Sequence, residues 1–230
     1  MNNKNLTIQL LTSTENKEKV DNNNNYRYIL YGASFNPPHM GHFYAIQQML
    51  EKYDRVIVFP YPHKHETGSI EKILPLKHRL EMLKLFINEF FPKIANRLIV
   101  RNLAGETKQR DRNHEGVLHT YDYLLFLKKE LKSTDTLHAC LGLQDKQNEN
   151  FYNRELIEKN FGFFFLEDET VYRSKNIRDL FGNKIINKQK IINSVGVASA
   201  EYIIKNNLYG INKTKLAKSP YRKGFGPKSR

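Results

Sequence analysis

Cysteine is almost missing from this chain: among 230 residues only Cys140 carries a thiol. A single thiol closes no intrachain disulfide and builds no cysteine-rich metal site, so a reducing, cytoplasmic setting is expected. Long apolar runs are missing as well. Nothing approaches the roughly eighteen consecutive apolar residues that a membrane span needs, and the first residues lack the charged-then-apolar order of a secretory signal. No internal repeat and no interior linker interrupts the body of the sequence, so one domain with its own core is expected at this length. Acidic residues are missing from one stretch. Residues 211–230 hold Lys213, Lys215, Lys218, Arg222, Lys223, Lys228 and Arg230 with no Asp or Glu.

That stretch carries much of the net charge of +13. Together with Pro220, Gly224, Gly226 and Pro227 it reads as a basic, disordered tail whose default state is solvated. Non-specific contact with nucleic acid or an acidic surface is the lesser reading. Residues 1–25 contain eight asparagines and little apolar periodicity. They read as a flexible leader, with room for a short strand at 6–11. The expected domain is therefore 26–210, mildly basic, as suits a protein handling phosphorylated ligands.

Within it, strand-like and helix-like segments alternate. Strands are expected at 26–33, 55–61, 97–103, 136–142 and 161–166. Phe43, Ile46, Leu50 and Tyr53 form one apolar stripe at helical spacing; Leu76, Leu80, Leu83, Ile87 and Phe90 form a second, stopped by Pro92. Further helices are expected at 118–132 and 197–209. Repeated βα units imply an α/β fold, a doubly wound parallel sheet with helices on both faces and ligands beyond the carboxyl ends of its strands.

The most informative segment is GASFNPPHMGH, residues 32–42, between the first strand and the first helix. Gly32 is expected to let the chain leave the strand sharply, Pro37 and Pro38 to stiffen the turn, and Gly41 to let a ligand approach the backbone. His39 and His42 then add side-chain donors at a helix N-terminus, where free N–H groups and the dipole already favour phosphate.

This segment resembles the signature of the nucleotidyltransferase superfamily that shares the HxGH motif, and its wider GxFxPPHxGH form is most like the nicotinate mononucleotide adenylyltransferases. Asn36 stands where that family has aspartate, and Ser34 takes the place of its threonine or serine. Pro60, Pro62, His63 and Lys64 resemble its PxxPPHK stretch, and Arg79-Leu80-Glu81-Met82-Leu83 its RxxML helix, with Arg79 pointing outward or toward the acceptor. Thr120, Asp122 and Leu124 fit the SYTxDTL segment, whose leading serine and tyrosine are absent here. Gly142 opens a GAD-like stretch in which Gln144 replaces the aspartate and Asp145 follows. Ser174, Ile177 and Arg178 match SSTxIR, with Lys175 for its threonine, and Ser174 is expected to cap the helix. The close at 202–209 resembles YIxxxxLY, read as a packing element. His63, His65 and His78 fit no common zinc spacing.

The resemblance implies a Rossmann-like nucleotidyltransferase domain that moves an adenylyl group from ATP to a mononucleotide acceptor, with Mg2+ on the phosphates. It implies His39, His42 and Arg178 as catalytic residues. Phosphate and ATP contacts would come from Gly32, Ala33, Ser34, Phe35, Gly41, Gly142, Ser174, Lys175 and Ile177, and acceptor contacts from Lys64, Thr120 and Asp122. Three alternatives stand beside it: the same chemistry on pantetheine phosphate, a flavin mononucleotide or a cytidylyl-transfer substrate; an inactive nucleotide-binding homologue; and a nucleic-acid-binding module built on the tail.

Overall fold

The structure is a computed structural model that describes residues 25–61, 73–106, 119–142, 148, 151–167, 174–182 and 187–211. Residues 1–24 of the leader, residues 212–230 of the basic tail, Pro62, His63, Lys64, His65, Gln144, Asp145 and Arg173 lie outside the described residues. Five parallel strands make one sheet in the order β3-β2-β1-β4-β5. These are β1 (Arg27–Ala33), β2 (Arg55–Pro60), β3 (Leu98–Val100), β4 (Thr136–Leu141) and β5 (Phe163–Phe165). The order reverses between β1 and β4, the switch point where open α/β sheets bind ligands.

Alternation along the strands sends side chains to two different cores. Ile29, Tyr31, Val56 and Val58 pack beneath α1 (Met40–Lys52) and α2 (Leu76–Phe90), against Ile46, Met49, Leu83 and Phe86. Leu30, Ile57 and Phe59 face the opposite way, against Tyr123, Leu124 and Leu127 of α4 (Thr120–Lys128) and Ile157 of α5 (Arg154–Asn160). Complete burial of Ile46, Met49, Leu83 or Phe86 contributes about 1.5–3 kcal/mol per side chain. The doubly wound arrangement expected from the alternating pattern is therefore the one observed.

The end of α1 is held by Arg97, whose guanidinium donates to the carbonyls of Leu50, Tyr53 and Asp54 at 2.7, 2.7 and 3.1 Å. A cation there answers the negative end of the helix dipole. A third cluster lies beyond α2, where Met82 meets Ile177 and Phe181 of α6 (Ser174–Gly182), Ile191 and Val195 of α7 (Lys188–Val195) and Ile203 of α8 (Val197–Lys205). Glu89 of α2 accepts from the N–H groups of Val197 and Ala198 at 2.8 and 2.9 Å and so caps α8 from across the interface.

Several boundaries differ from the sequence expectation. The third strand stops at Val100 because Leu103 opens a short helix, α3 (Leu103–Glu106). Its end is pinned by Arg101, which pairs with Glu106 and, at 2.9 Å, with Glu130. The helix α4 ends at Lys128, with bent backbone in place of its expected last turn. The closing helix ends at Lys205, and a 3-10 turn, Leu208–Gly210, follows with Asn207 and Tyr209 in left-handed backbone, φ 50° and 55°. No helix among the described residues is long and apolar enough to cross a membrane.

Candidate functional site

Residues 34–39 leave β1 at the switch point and turn into α1. Gly32 is not the exit from the strand, as the sequence suggested; it is still paired, opposite Phe59. A Cβ there would come within 2.6 Å of the Tyr61 ring and 2.7 Å of the Phe59 ring, so glycine is required by aromatic packing. The sharp change of direction falls at Phe35, whose backbone is left-handed at φ 45°. Its ring is buried against that of His42, 4.5 Å between centroids.

His39 is the N-cap of α1, and both imidazoles are tied to backbone. Nδ1 of His39 accepts from the Gly41 N–H at 3.1 Å, and Nδ1 of His42 accepts from the His39 N–H at 3.0 Å. A backbone N–H can only donate, so each Nδ1 must carry a lone pair, and in the neutral ring the proton then sits on Nε2. The rings lie 3.8 Å apart at a 38° tilt. Both residues are 6% exposed. Burial, assisted by the Arg178 guanidinium, pushes His39 down to about 3. Burial and the neighbouring His39 hold His42 well below the ordinary histidine range. The pair is neutral at physiological pH, with two Nε2–H donors and nothing among the described residues accepting from them. The N–H groups of His39 and Gly41, expected to be free for an anion, are used to orient these rings.

Other elements close on the same turn. Arg178 of α6 donates to the Asn36 carbonyl at 2.8 Å, and the Ser174 hydroxyl reaches the Pro37 carbonyl at 3.4 Å. Ser174 is the first residue of α6 and docks it onto the turn, whereas the sequence suggested a cap. Asn36 is fully buried, follows the left-handed Phe35 and precedes a cis peptide to Pro37. Its Oδ1 accepts from the Leu74 N–H at 3.2 Å and the Tyr209 hydroxyl at 2.9 Å.

Arg79 is 2% exposed and does not point outward. It donates to three carbonyls, Leu74 at 2.9 Å, Ser34 at 2.9 Å and Tyr61 at 2.7 Å, and pairs with no carboxylate among the described residues. Guanidinium satisfies the orphan carbonyls of an irregular segment and leaves a positive charge under the turn. On the α4 face, the hydroxyls of Tyr61 and Thr120 lie 3.1 Å apart. Asp122 accepts from the His119 N–H at 2.9 Å, holding the start of α4. The buried Tyr123 hydroxyl has no partner among the described residues.

Thus His39, His42, Ser34, Phe35, Gly41, Ser174 and Arg178 come together at one turn. Ala33 ends β1, and Gly142 directly follows the adjacent strand β4. Lys175 is exposed on the first turn of α6, while Ile177 points into the third core cluster and anchors that helix. A family model described as cytidylyltransferase-like matches residues 30–191, which include the turn, the sheet and α6. The chain belongs to the cytidylyltransferase-like family.

A Streptococcus pyogenes protein named probable nicotinate-nucleotide adenylyltransferase is 29% identical over 138 residues, 56% of this chain and 58% of that protein. The match thus spans under two thirds of that relative's length. A Leptospira interrogans protein of the same name is 26% identical over 198 residues, covering 78% of this chain and 95% of its own. Among solved structures, the Plasmodium falciparum nicotinic acid mononucleotide adenylyltransferase complexed with NaAD superposes with a TM-score of 0.59 at 21% identity, covering 81% of this chain and 98% of that one. That likeness shows the shared fold.

Asn36, Tyr61, Arg79 and Tyr209 hold this turn, a role that the sequence expectations gave to none of them. A signal existed for one of them. Arg79 lies on the stripe of Met82, Leu83 and Phe86, and an arginine on an apolar helical face has to be buried with carbonyl or carboxylate partners.

Proposed function

We propose that the chain transfers the adenylyl group of ATP to nicotinate mononucleotide, or to its nicotinamide counterpart, giving the dinucleotide and pyrophosphate. The observation that carries this reading is the neutral imidazole pair, fixed through both Nδ1 atoms and offering Nε2–H donors beside an arginine from α6. An oxygen of the acceptor's phosphate attacks the α-phosphorus in line, the bond from that phosphorus to the β-phosphate bridging oxygen breaks, and pyrophosphate leaves with the electron pair. Such a step asks the protein for alignment and for donors aimed at the charge that develops.

In this reading His39 and His42 donate to the triphosphate oxygens, Arg178 and Lys175 take the departing phosphates, and the backbone at 32–35 with Ser34 lines the approach. Thr120 and Lys64 serve the acceptor, and Asp122 fixes the α4 terminus that presents Thr120. The donors at the turn are imidazole, guanidinium and amide groups, which suit phosphate oxygens and not a hard cation. Among the described residues no group of three metal-ligating side chains forms a metal cage. Mg2+ in this account comes with the triphosphate. The names of the Streptococcus and Leptospira relatives support nicotinate mononucleotide as the acceptor, and a cytoplasmic setting accords with the single cysteine.

The test is pyrophosphate release from ATP and magnesium with nicotinate mononucleotide, nicotinamide mononucleotide, pantetheine phosphate and FMN offered in turn. Release with either pyridine mononucleotide, fastest with the acid, is expected. Release with pantetheine phosphate or FMN alone would move the acceptor, and release with none would remove the enzymatic reading.

A further inference from the structure

We propose that Tyr209 is a positioning residue for the polyphosphate grip, holding Arg178 of α6 at a set distance from the turn that carries His39 and His42. The inference rests on the function proposed above for its kinetic arm and stands on geometry for the rest. Tyr209 touches both parts at once. Its ring stacks on Phe181 of α6 at 5.0 Å and 11°, and its hydroxyl donates to Asn36 Oδ1 at 2.9 Å. The carbonyl of that same Asn36 receives Arg178 at 2.8 Å. Phe181 and Arg178 are three residues apart on α6, so their side chains leave neighbouring positions of one helix. One phenol thus closes a loop from α6 through Phe181 to Tyr209 to Asn36 and back to α6 through Arg178.

The backbone is bent to make this contact. Asn207 and Tyr209 both adopt left-handed conformations that non-glycine residues take only at a cost. The flanking Leu208 and Ile211 are buried in the third core cluster and hold the bend in place. A side chain serving only to fill space could follow on from α8 without that bend. The phenol is also raised well above its ordinary pKa by burial, against the opposing pull of Arg178 and Arg79, so it stays a proton donor to Asn36 across the working range.

The test compares wild-type protein with Tyr209→Phe, which keeps the ring stack and deletes only the donor. Affinity for inorganic pyrophosphate with magnesium is measured by calorimetry, KM for ATP and for nicotinate mononucleotide by steady-state kinetics, and folding by thermal melting. Loss of one hydrogen bond of ordinary strength predicts a pyrophosphate Kd and an ATP KM raised about three- to tenfold, with the acceptor KM within twofold. Phe181→Leu, which loses the stack and keeps an apolar side chain, is expected to shift the same two constants; it carries the test should the first variant fail to fold. Unchanged pyrophosphate affinity, or equal shifts in both KM values, overturns the proposal whatever happens to the melting temperature. If the wild type releases no pyrophosphate with any acceptor, the functional reading falls while the calorimetric arm still decides this one.

Discussion

Residues 34–37 of the turn receive bonds from five groups, Arg79, Leu74, Tyr209, Arg178 and Ser174, whereas across the sheet rim the Tyr61 and Thr120 hydroxyls meet and the Tyr123 hydroxyl has no partner among the described residues. The donors to the turn come from α2, the segment before it, α6 and the 3-10 turn near residue 209, up to 173 positions away in sequence. Its geometry is therefore fixed by the whole fold before any ligand arrives, which is what a site stabilising developing phosphate charge requires. On the α4 face the Tyr123 hydroxyl has no partner among the described residues. On the function proposed above, the polyphosphate end would be the better-fixed one and the acceptor end the adaptable one.

The largest expected effect breaks the rigid side chemically. His42→Asn should lower turnover by on the order of a hundredfold or more, since it deletes one preorganised donor; initial-rate measurements check this, and near-normal turnover would remove His42 from the chemistry. His42→Ala should in addition lose the acceptor for the His39 N–H and about 1 kcal/mol of capping.

Next comes the clamp. Arg79→Met removes donors from three carbonyls while roughly keeping the side-chain volume, and should cost about 2–4 kcal/mol in denaturant unfolding. A change below about 0.5 kcal/mol would mean that the turn holds its shape without the guanidinium.

The next effect concerns pH. The unfolded chain takes up protons on His39 and His42 once the pH falls below about 6.5, while the folded pair resists protonation, His39 down to about 3. The unfolded state then binds more protons, so stability falls with the pH from about 6.5 toward 3, with a slope approaching 1.4 kcal/mol per pH unit for each histidine. Urea midpoints for wild type and His39→Asn should converge as the pH drops through this window; parallel curves would show that the imidazole is not held neutral.

The smallest effect lies on the looser side. Tyr123→Phe removes a buried hydroxyl with no partner among the described residues and should leave stability unchanged or raise it by about 1 kcal/mol, with the acceptor KM little altered. A marked loss of acceptor affinity would show that this hydroxyl bonds the acceptor, and would make the α4 face more ordered than described.

The difference between the two sides also explains what could be read from the sequence. The strands and the helices α1, α2 and α8 show themselves through apolar periodicity, and the turn through an unusual run of Gly, Pro and His. Helices α3, α5 and α7 escaped notice. KQKIINSV, for instance, offers only Ile191, Ile192 and Val195 as apolar positions, too few for a period. At the site, local pattern marks His39 and His42, but the partners that orient the turn are set by tertiary folding. The reversal that returns Tyr209 to Asn36 depends on two left-handed residues that no glycine announces. Gly32 was found at the right place for a different reason, since the Tyr61 and Phe59 rings over it come from another strand.

The most direct measurement of the central claim is a crystal structure with a nonhydrolysable ATP analogue and magnesium. The account predicts both imidazoles still bonded to backbone through Nδ1, with each Nε2 about 2.7–3.2 Å from a phosphoryl oxygen and Arg178 on the β or γ phosphate. Rings that keep their Nδ1 bonds while the phosphates lie elsewhere, or that release those bonds to turn away from them, would contradict it.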